Sequence, residues 1–220
     1  MTFGFLLFRD VEELDFVGPW EVIGMWGRRF GGPEHRLLVS QTGGVVTCGK
    51  GLQVQTDCSF AACPVLDYLL IPGGQGAERE VGNAELLAFV RTHAGGCRQV
   101  VAVCTGALIL QAVGLLAGRR ATTHWQFLDR LRSSGDVTVA EDRFVRDGKI
   151  WTAAGVSAGI DVALALVADQ AGEDVAGHVQ LAMEYYPSAR RYGQAHGIPD
   201  APGYLKTDGA ASSALNVSKE

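Results

Sequence analysis

Cys104 is the residue whose position most directly suggests reactivity. It follows the apolar run 99–103 and precedes Thr105, Gly106 and a helical segment over 107–113. A strand that turns abruptly into a helix thrusts the turn residue out at the sheet edge, as in a nucleophile elbow, although V-C-T-G-A is not the G-x-S-x-G form. The unpaired N–H groups and dipole at a helix start favour a thiolate, so this spacing predicts an exposed, low-pKa, oxidation-prone cysteine. The competing reading is a small buried core cysteine. Asp15 lies after the first predicted strand, ahead of Phe16-Val17-Gly18-Pro19. There it can face the same site and exchange protons with whatever is attached to Cys104, or simply sit at a helix start and interact with its dipole. Gly73 and Gly74 follow another apolar run and can bring backbone N–H groups to a developing charge, or merely make a turn. His124, in A-T-T-H-W, is either a base beside the cysteine or a packed histidine. His35, His93, His178 and His196 stand in no constellation and read as solvated surface.

These residues need strand ends to hold them together. The run 3–8 (FGFLLF) reads as a buried strand, and 14–26 has helical spacing with Pro19 placed in its first turns. A strand over 36–40 follows, then a hairpin of 45–46 and 52–54. The segment 67–71 is a further buried strand, and 83–94 a helix with Asn83 as N-cap. After the strand 99–103 and its helix, 125–131 is helical. Residues 144–152 form a hairpin turning at Asp147-Gly148, a type I′ signal. Helices over 156–171 and 173–185 complete the pattern. Strands alternating with helices, and apolar throughout, predict a doubly wound, mostly parallel α/β sheet. In such sheets ligands bind outside the carboxyl ends of the strands, here after Phe8, Ile71 and Val103 and near Ala153-Ala154-Gly155. The domain is expected to span 1–186. Residues 187–220, rich in Gly, Ala, Ser and Pro, are expected to be a surface-wrapping or partly disordered extension.

Composition narrows the function classes. The 220 residues carry 19 Lys+Arg against 24 Asp+Glu, a net charge of −5, which disfavours non-specific nucleic-acid binding. No Walker A or dinucleotide fingerprint is present, so no nucleotide cofactor is expected. The five cysteines are odd in number and have neither C-x-x-C nor zinc spacing, so neither a disulfide framework nor a bound metal is expected. No apolar run reaches the roughly 18 residues of a membrane span and no leader pattern is visible, so a cytoplasmic protein is expected.

Five segments together carry a family resemblance: F-L-L-F-x-x-V-x-x-L-D-x-x-G-P (5–19), I-P-G-G (71–74), V-C-T-G-A (103–107), G-L-L-x-G-R-R-A-T-T-H-W (114–125) and A-G-I-D-x-A-L (158–164). They resemble the PfpI-like, class I glutamine-amidotransferase-like superfamily, and within it most of all the isocyanide hydratases. The resemblance covers about residues 3–186. It implies a flavodoxin-like fold, a homodimer, a reactive cysteine at Cys104 and no cofactor. Protease-like and chaperone-like members carry His directly after the cysteine, where this chain has Thr105. The hydratase branch pairs the cysteine with Asp after the first strand, matched by Asp15, whereas other branches carry Glu. The same resemblance implies a small isocyanide as substrate, Thr105 orienting Asp15, and Val156 and Ser157 lining the pocket. Two rivals stand beside it. One is a ligand-sensing domain like those of superfamily transcription regulators. The other is an enzyme acting on small dicarbonyls. A complete DNA-binding regulator needs a basic recognition helix, and beyond Pro187 the cations are only Arg190, Arg191, Lys206 and Lys219.

Overall fold

The computed structural model describes residues 1–188 and 199–206. The order of elements is β1 (Thr2–Leu6), α1 (Glu13–Arg29), β2 (His35–Ser40), β3 (Gly44–Thr47), β4 (Gln53–Thr56), β5 (Cys58–Ser59), β6 (Tyr68–Ile71), α2 (Ala77–Glu80), α3 (Ala84–Gly96), β7 (Gln99–Val103), α4 (Gly106–Val113), β8 (Arg120–Ala121), α5 (Leu128–Arg132), β9 (Thr138–Val139), β10 (Phe144–Asp147), β11 (Ile150–Ala153), α6 (Ala158–Ala171), α7 (Glu173–Ala182) and α8 (Gly203–Lys206). Seven strands form the main sheet in the order β10-β11-β7-β6-β1-β2-β5. All neighbours pair in parallel except β10 with β11. This is the doubly wound α/β fold. β6, β7 and β11 carry apolar or buried residues at nearly every position, because helices cover both faces of the sheet.

From β1 the chain steps to β2 on one side, and from β6 it steps to β7 on the other. Right-handed crossovers in opposite directions place the helices on opposite faces. Accordingly α1, α6 and α7 pack on one another, and α2, α3 and α4 form a separate group. The strand order reverses between β1 and β6, and the loops after β1, β6, β7 and β11 meet at that end of the sheet.

Several sequence expectations change in detail. Pro19 is the seventh residue of α1, well inside the helix, so its missing N–H leaves the Asp15 carbonyl without an i+4 donor. Gly159 of α6 packs on that carbonyl and on the Pro19 ring, and Gly18 of α1 packs under Ile160. A Cβ at Gly18 would lie 2.7 Å from Ile160, so the small residues are what let α1 and α6 approach at the turn that carries Asp15. The segment 125–131 is a 3₁₀ turn, Trp125–Phe127, followed by α5, rather than one helix. The β10–β11 turn comprises Gly148 and Lys149, since Asp147 pairs with Ile150. Only Gly148 has positive φ (59°), which fits a type II′ pattern and not type I′. The Asn83 cap forms as expected, accepting from the Leu86 N–H at 3.3 Å.

Residues 189–198 and 207–220 lie outside the described residues, and with them His196, Arg190, Arg191, Lys219 and most of the expected extension. In the described piece, Ala201 and Pro202 are buried and Tyr204 packs against the core. Among the described residues no helix is long and apolar enough to cross a membrane.

Candidate active site

Cys104 stands between β7 and α4 with φ +56°, a left-handed conformation that few side-chain-bearing residues adopt. The turn is held from several directions. Its N–H donates to the carbonyls of Ala153 (3.1 Å) and Ala154 (3.0 Å) at the end of β11. Its carbonyl accepts from Thr123 Oγ1 at 2.8 Å, and Thr123 is fully buried. Behind it, a Cβ on Gly106 would lie 2.2 Å from the Ile71 carbonyl, so glycine is what lets the start of α4 rest on the end of β6.

Asp15 is 0% exposed and comes from the first turns of α1. Its Oδ2 accepts the Gly73 N–H at 2.8 Å. Its Oδ1 is buried with no well-formed hydrogen bond among the described residues. The carboxyl group also faces the Cys104 thiol, which weakly favours the ionised form. Burial dominates, however, and holds the carboxyl well above the ordinary carboxylate range, with the nearby Glu12 charge pushing the same way and Lys50 opposing it. The loops that bring the two residues together are stitched by backbone. Glu12 N–H donates to the Gly73 carbonyl at 2.9 Å, and Gly76 N–H to the Asp10 carbonyl at 3.0 Å. A Cβ on Gly73 would sit 2.5 Å from the Thr105 nitrogen and 2.5 Å from its hydroxyl, so only glycine permits this packing.

The thiol departs from expectation. Cys104 is only 5% exposed, and burial together with the Asp15 charge pushes it up to about 12. Three groups act in the opposite direction: the N–H of Val156, the N–H of Thr105 and the Thr105 hydroxyl. The donors at the helix start are therefore present, but desolvation outweighs them, and the exposed low-pKa thiolate is not what the fold provides.

Two further roles are corrected. The Thr105 hydroxyl does not bond Asp15. It accepts the Gly74 N–H at 3.0 Å and lies 3.2 Å from the Gly74 carbonyl, to which it can donate. The two glycine N–H groups are consequently both in use, Gly73 on Asp15 and Gly74 on Thr105. The N–H groups that face the Cys104 sulfur are instead those of Val156 and Thr105. Val156 contributes through its backbone, at a strained φ of +37°. Ser157 is exposed and accepts from Arg143 Nη2 at 2.9 Å.

His124 packs its ring against Gly155 and lies beside Trp125 and Phe127. Its Nδ1 accepts the Gln126 N–H at 3.3 Å, and burial lowers its pKa against the opposing charge of Glu12. His93, expected at the surface, is half-buried against Phe89 with ring centres 4.3 Å apart. Sequence reasoning missed Thr123, the buried hydroxyl under the elbow, and the Glu12–Lys50 ion pair beside Asp15. Thr123 had a signal, being a polar residue within the A-T-T-H-W segment. The partners Glu12 and Lys50 lie 38 positions apart and meet only through the β3–β4 hairpin.

A doubly wound sheet with a strained cysteine at the strand–helix turn and a buried carboxyl opposite it defines a class of α/β proteins. The chain belongs to the DJ-1/PfpI family, whose model matches residues 2–169. It is 42% identical over 189 residues to an isonitrile hydratase of Pseudomonas putida, covering 86% of this chain and 80% of that one. It is 31% identical over 88% of its length to the HTH-type transcriptional regulator CdhR of Pseudomonas aeruginosa, of which it spans 57%. Among solved structures, a THiJ/PfpI family protein from Pseudomonas syringae superposes with a TM-score of 0.81 at 32% identity, covering 93% of this chain and 82% of that one.

Proposed function

We propose that the protein is an isocyanide hydratase, converting R–N≡C and water into the N-substituted formamide R–NH–CHO. The observation that carries this reading is the pairing of Cys104 with Asp15, a buried carboxyl raised in pKa and only half satisfied by hydrogen bonds. Its similarity to the Pseudomonas putida isonitrile hydratase supports the same reading.

The cycle starts with one proton on the pair, carried by the Cys104 thiol with Asp15 ionised, and losing it to bulk water is costly because burial pushes the thiol up. Passing the thiol proton to Asp15 is easier, because it creates the thiolate and removes the carboxylate charge that opposes it. The thiolate adds to the terminal isocyanide carbon, forming the C–S bond. Asp15 returns the proton to that carbon, giving a thioimidate. Water then attacks the same carbon while Asp15 accepts a proton from it. Asp15 gives that proton to the nitrogen, and collapse then breaks the C–S bond as the hydroxyl of the intermediate becomes the formyl carbonyl and its proton passes to the leaving sulfur, which regenerates the thiol and the carboxylate. The Val156 and Thr105 N–H groups stabilise the sulfur charge at the start and end of this cycle. Thr105 in the place of a histidine argues against a Cys-His dyad and against the dicarbonyl chemistry of other superfamily members.

The test is turnover of an aryl isocyanide followed by absorbance of the formamide, on wild type, Cys104→Ala and Asp15→Asn. Absence of turnover by wild type overturns the activity, and full activity in Cys104→Ala overturns the mechanism. A second reading, a ligand-sensing domain, draws on the similarity to the CdhR regulator. Saturable binding of an isocyanide or another small ligand without any turnover would favour it.

A further inference from the structure

Arg143, at the entrance to β10, grips the segment after β11 at three points. Its carbonyl accepts the Ala154 N–H at 3.0 Å. Its Nη2 donates to Ser157 Oγ at 2.9 Å, and its Nε donates to Asp161 Oδ2 at 2.7 Å. Asp161 is itself held from the other side, since its Oδ1 accepts from Tyr185 Oη at 3.1 Å. The gripped positions 154, 157 and 161 bracket Val156. Val156 is β-branched, sits at φ +37°, and presents its N–H to the Cys104 sulfur. A side-chain-bearing residue keeps such a conformation only where its surroundings over-determine it.

We propose that Arg143 is a positioning residue for the reaction proposed above: its fork on Ser157 and Asp161 holds Val156 in the conformation that aims its N–H at Cys104 Sγ. The inference rests on Cys104 being the nucleophile of that reaction. A planar guanidinium suits the task because it satisfies two differently placed acceptors at once, which a lysine ammonium does less rigidly. Arg143 is one-third exposed, so its contribution lies in geometry more than in ion-pair energy. Arg146 provides the natural comparison. It also reaches from β10 to an α6 aspartate, Asp169, but nowhere near Val156. The titratable group facing Cys104 is Asp15 of α1, which in turn feels Glu12 and Lys50. Arg143 touches none of these.

The experiment measures the rate of iodoacetamide alkylation at Cys104, read by mass spectrometry of its peptide between about pH 8 and 10, alongside kcat and KM. Loss of an N–H donor to a thiolate lowers the thiolate fraction, so Arg143→Gln should alkylate about tenfold more slowly at each pH. Its kcat should fall by a similar factor, with KM within about twofold. Arg143→Lys should lie in between, Ser157→Ala should slow alkylation roughly threefold, and Arg146→Gln should match wild type. Unchanged or faster alkylation in Arg143→Gln overturns the proposal, as does an equal slowing in Arg146→Gln. If Arg143→Gln fails to fold, Arg143→Lys and Ser157→Ala decide by the same criteria. If wild type turns over no isocyanide, the functional reading falls, while the alkylation rates still decide the role of Arg143.

Discussion

Cys97 and Cys104 bracket the same strand, β7, and by burial they are twins. They are 4% and 5% exposed, and desolvation pushes both to about 12. What differs is the end of the sheet each occupies. Cys97 caps the C-terminus of α3, where carbonyls gather. Its thiol donates to the Leu66 carbonyl at 3.3 Å, and Lys149 Nζ donates to the carbonyls of Ala94, Gly95 and Cys97 at 2.7, 3.1 and 3.3 Å. Cys104 sits where strands feed helix N-termini, and its sulfur meets the N–H groups of Thr105 and Val156 and a carboxyl able to take its proton. A parallel sheet thus has an acceptor-rich end that suits a thiol and a donor-rich end that suits a thiolate. The partners of the sulfur distinguish the two cysteines, and burial alone does not.

The largest expected contrast is between deletions at the two ends. Cys104→Ala should reduce isocyanide turnover on the order of 10³-fold or more, since a nucleophile has no substitute in covalent catalysis. Cys97→Ala should leave kcat within about twofold. Comparable losses from both would erase the contrast.

Asp15→Asn sharpens it next, because activity and stability should move in opposite directions. Loss of the general acid–base should cost about 10²-fold or more in kcat. The raised carboxyl pKa means the folded chain holds this proton more tightly than the unfolded one. Asp15 therefore lowers stability increasingly as pH rises from the ordinary carboxylate value of 3.8 through the raised folded value. Asn keeps an acceptor for the Gly73 N–H without the buried charge, so Tm at pH 7 should rise by a few degrees, on the order of 1 kcal/mol. That advantage should shrink as pH is lowered toward 3.8 and vanish below it, where Asp15 is neutral in both the folded and the unfolded chain. Thermal scans across pH test the sign directly.

Glycines at the two ends should also behave differently. Gly73→Ala places a Cβ 2.5 Å from the Thr105 backbone nitrogen, and should cost about 2–3 kcal/mol, or roughly 5–10 °C in Tm. At Gly95 in α3 a Cβ would meet nothing within 4 Å, so Gly95→Ala should stabilise by about 0.5 kcal/mol through helix propensity. The smallest effect on catalysis belongs to Lys149→Met. It should cost about 1 kcal/mol by leaving three carbonyls short of a donor, with kcat unchanged. Chemical denaturation and steady-state rates check both.

Periodicity made β7, the β3–β4 hairpin and the Asn83 cap legible, because each depends on neighbours a few positions away. It also located Cys104 at a strand end and Asp15 near the start of α1. It placed the start of α1 at Leu14, one residue from the observed Glu13, but Pro19 as the seventh residue lies past the N–H groups that lack helical partners, and the N-cap residue Glu12 makes no side-chain cap. The roles of Thr105, Gly73 and Gly74 were read one step off. Which N–H meets which oxygen depends on how the loop after β6 stacks on α1 and on the elbow, 58 and 31 residues away in sequence.

The sequence by itself determined the alternation of buried strands and helices, the elbow at Cys104 and the acid at Asp15, because hydrophobic period and turn chemistry are local. Only the tertiary structure decided the state of those groups. Desolvation depends on what covers a side chain from distant segments, so the helix-start donors that predicted a thiolate were outweighed once α1, β6 and the loop after β11 closed over the sulfur. The same closure tied the segment after β11 to both Cys104 and Arg143, through Ala154 and Ser157, a relation that exists only in the folded sheet.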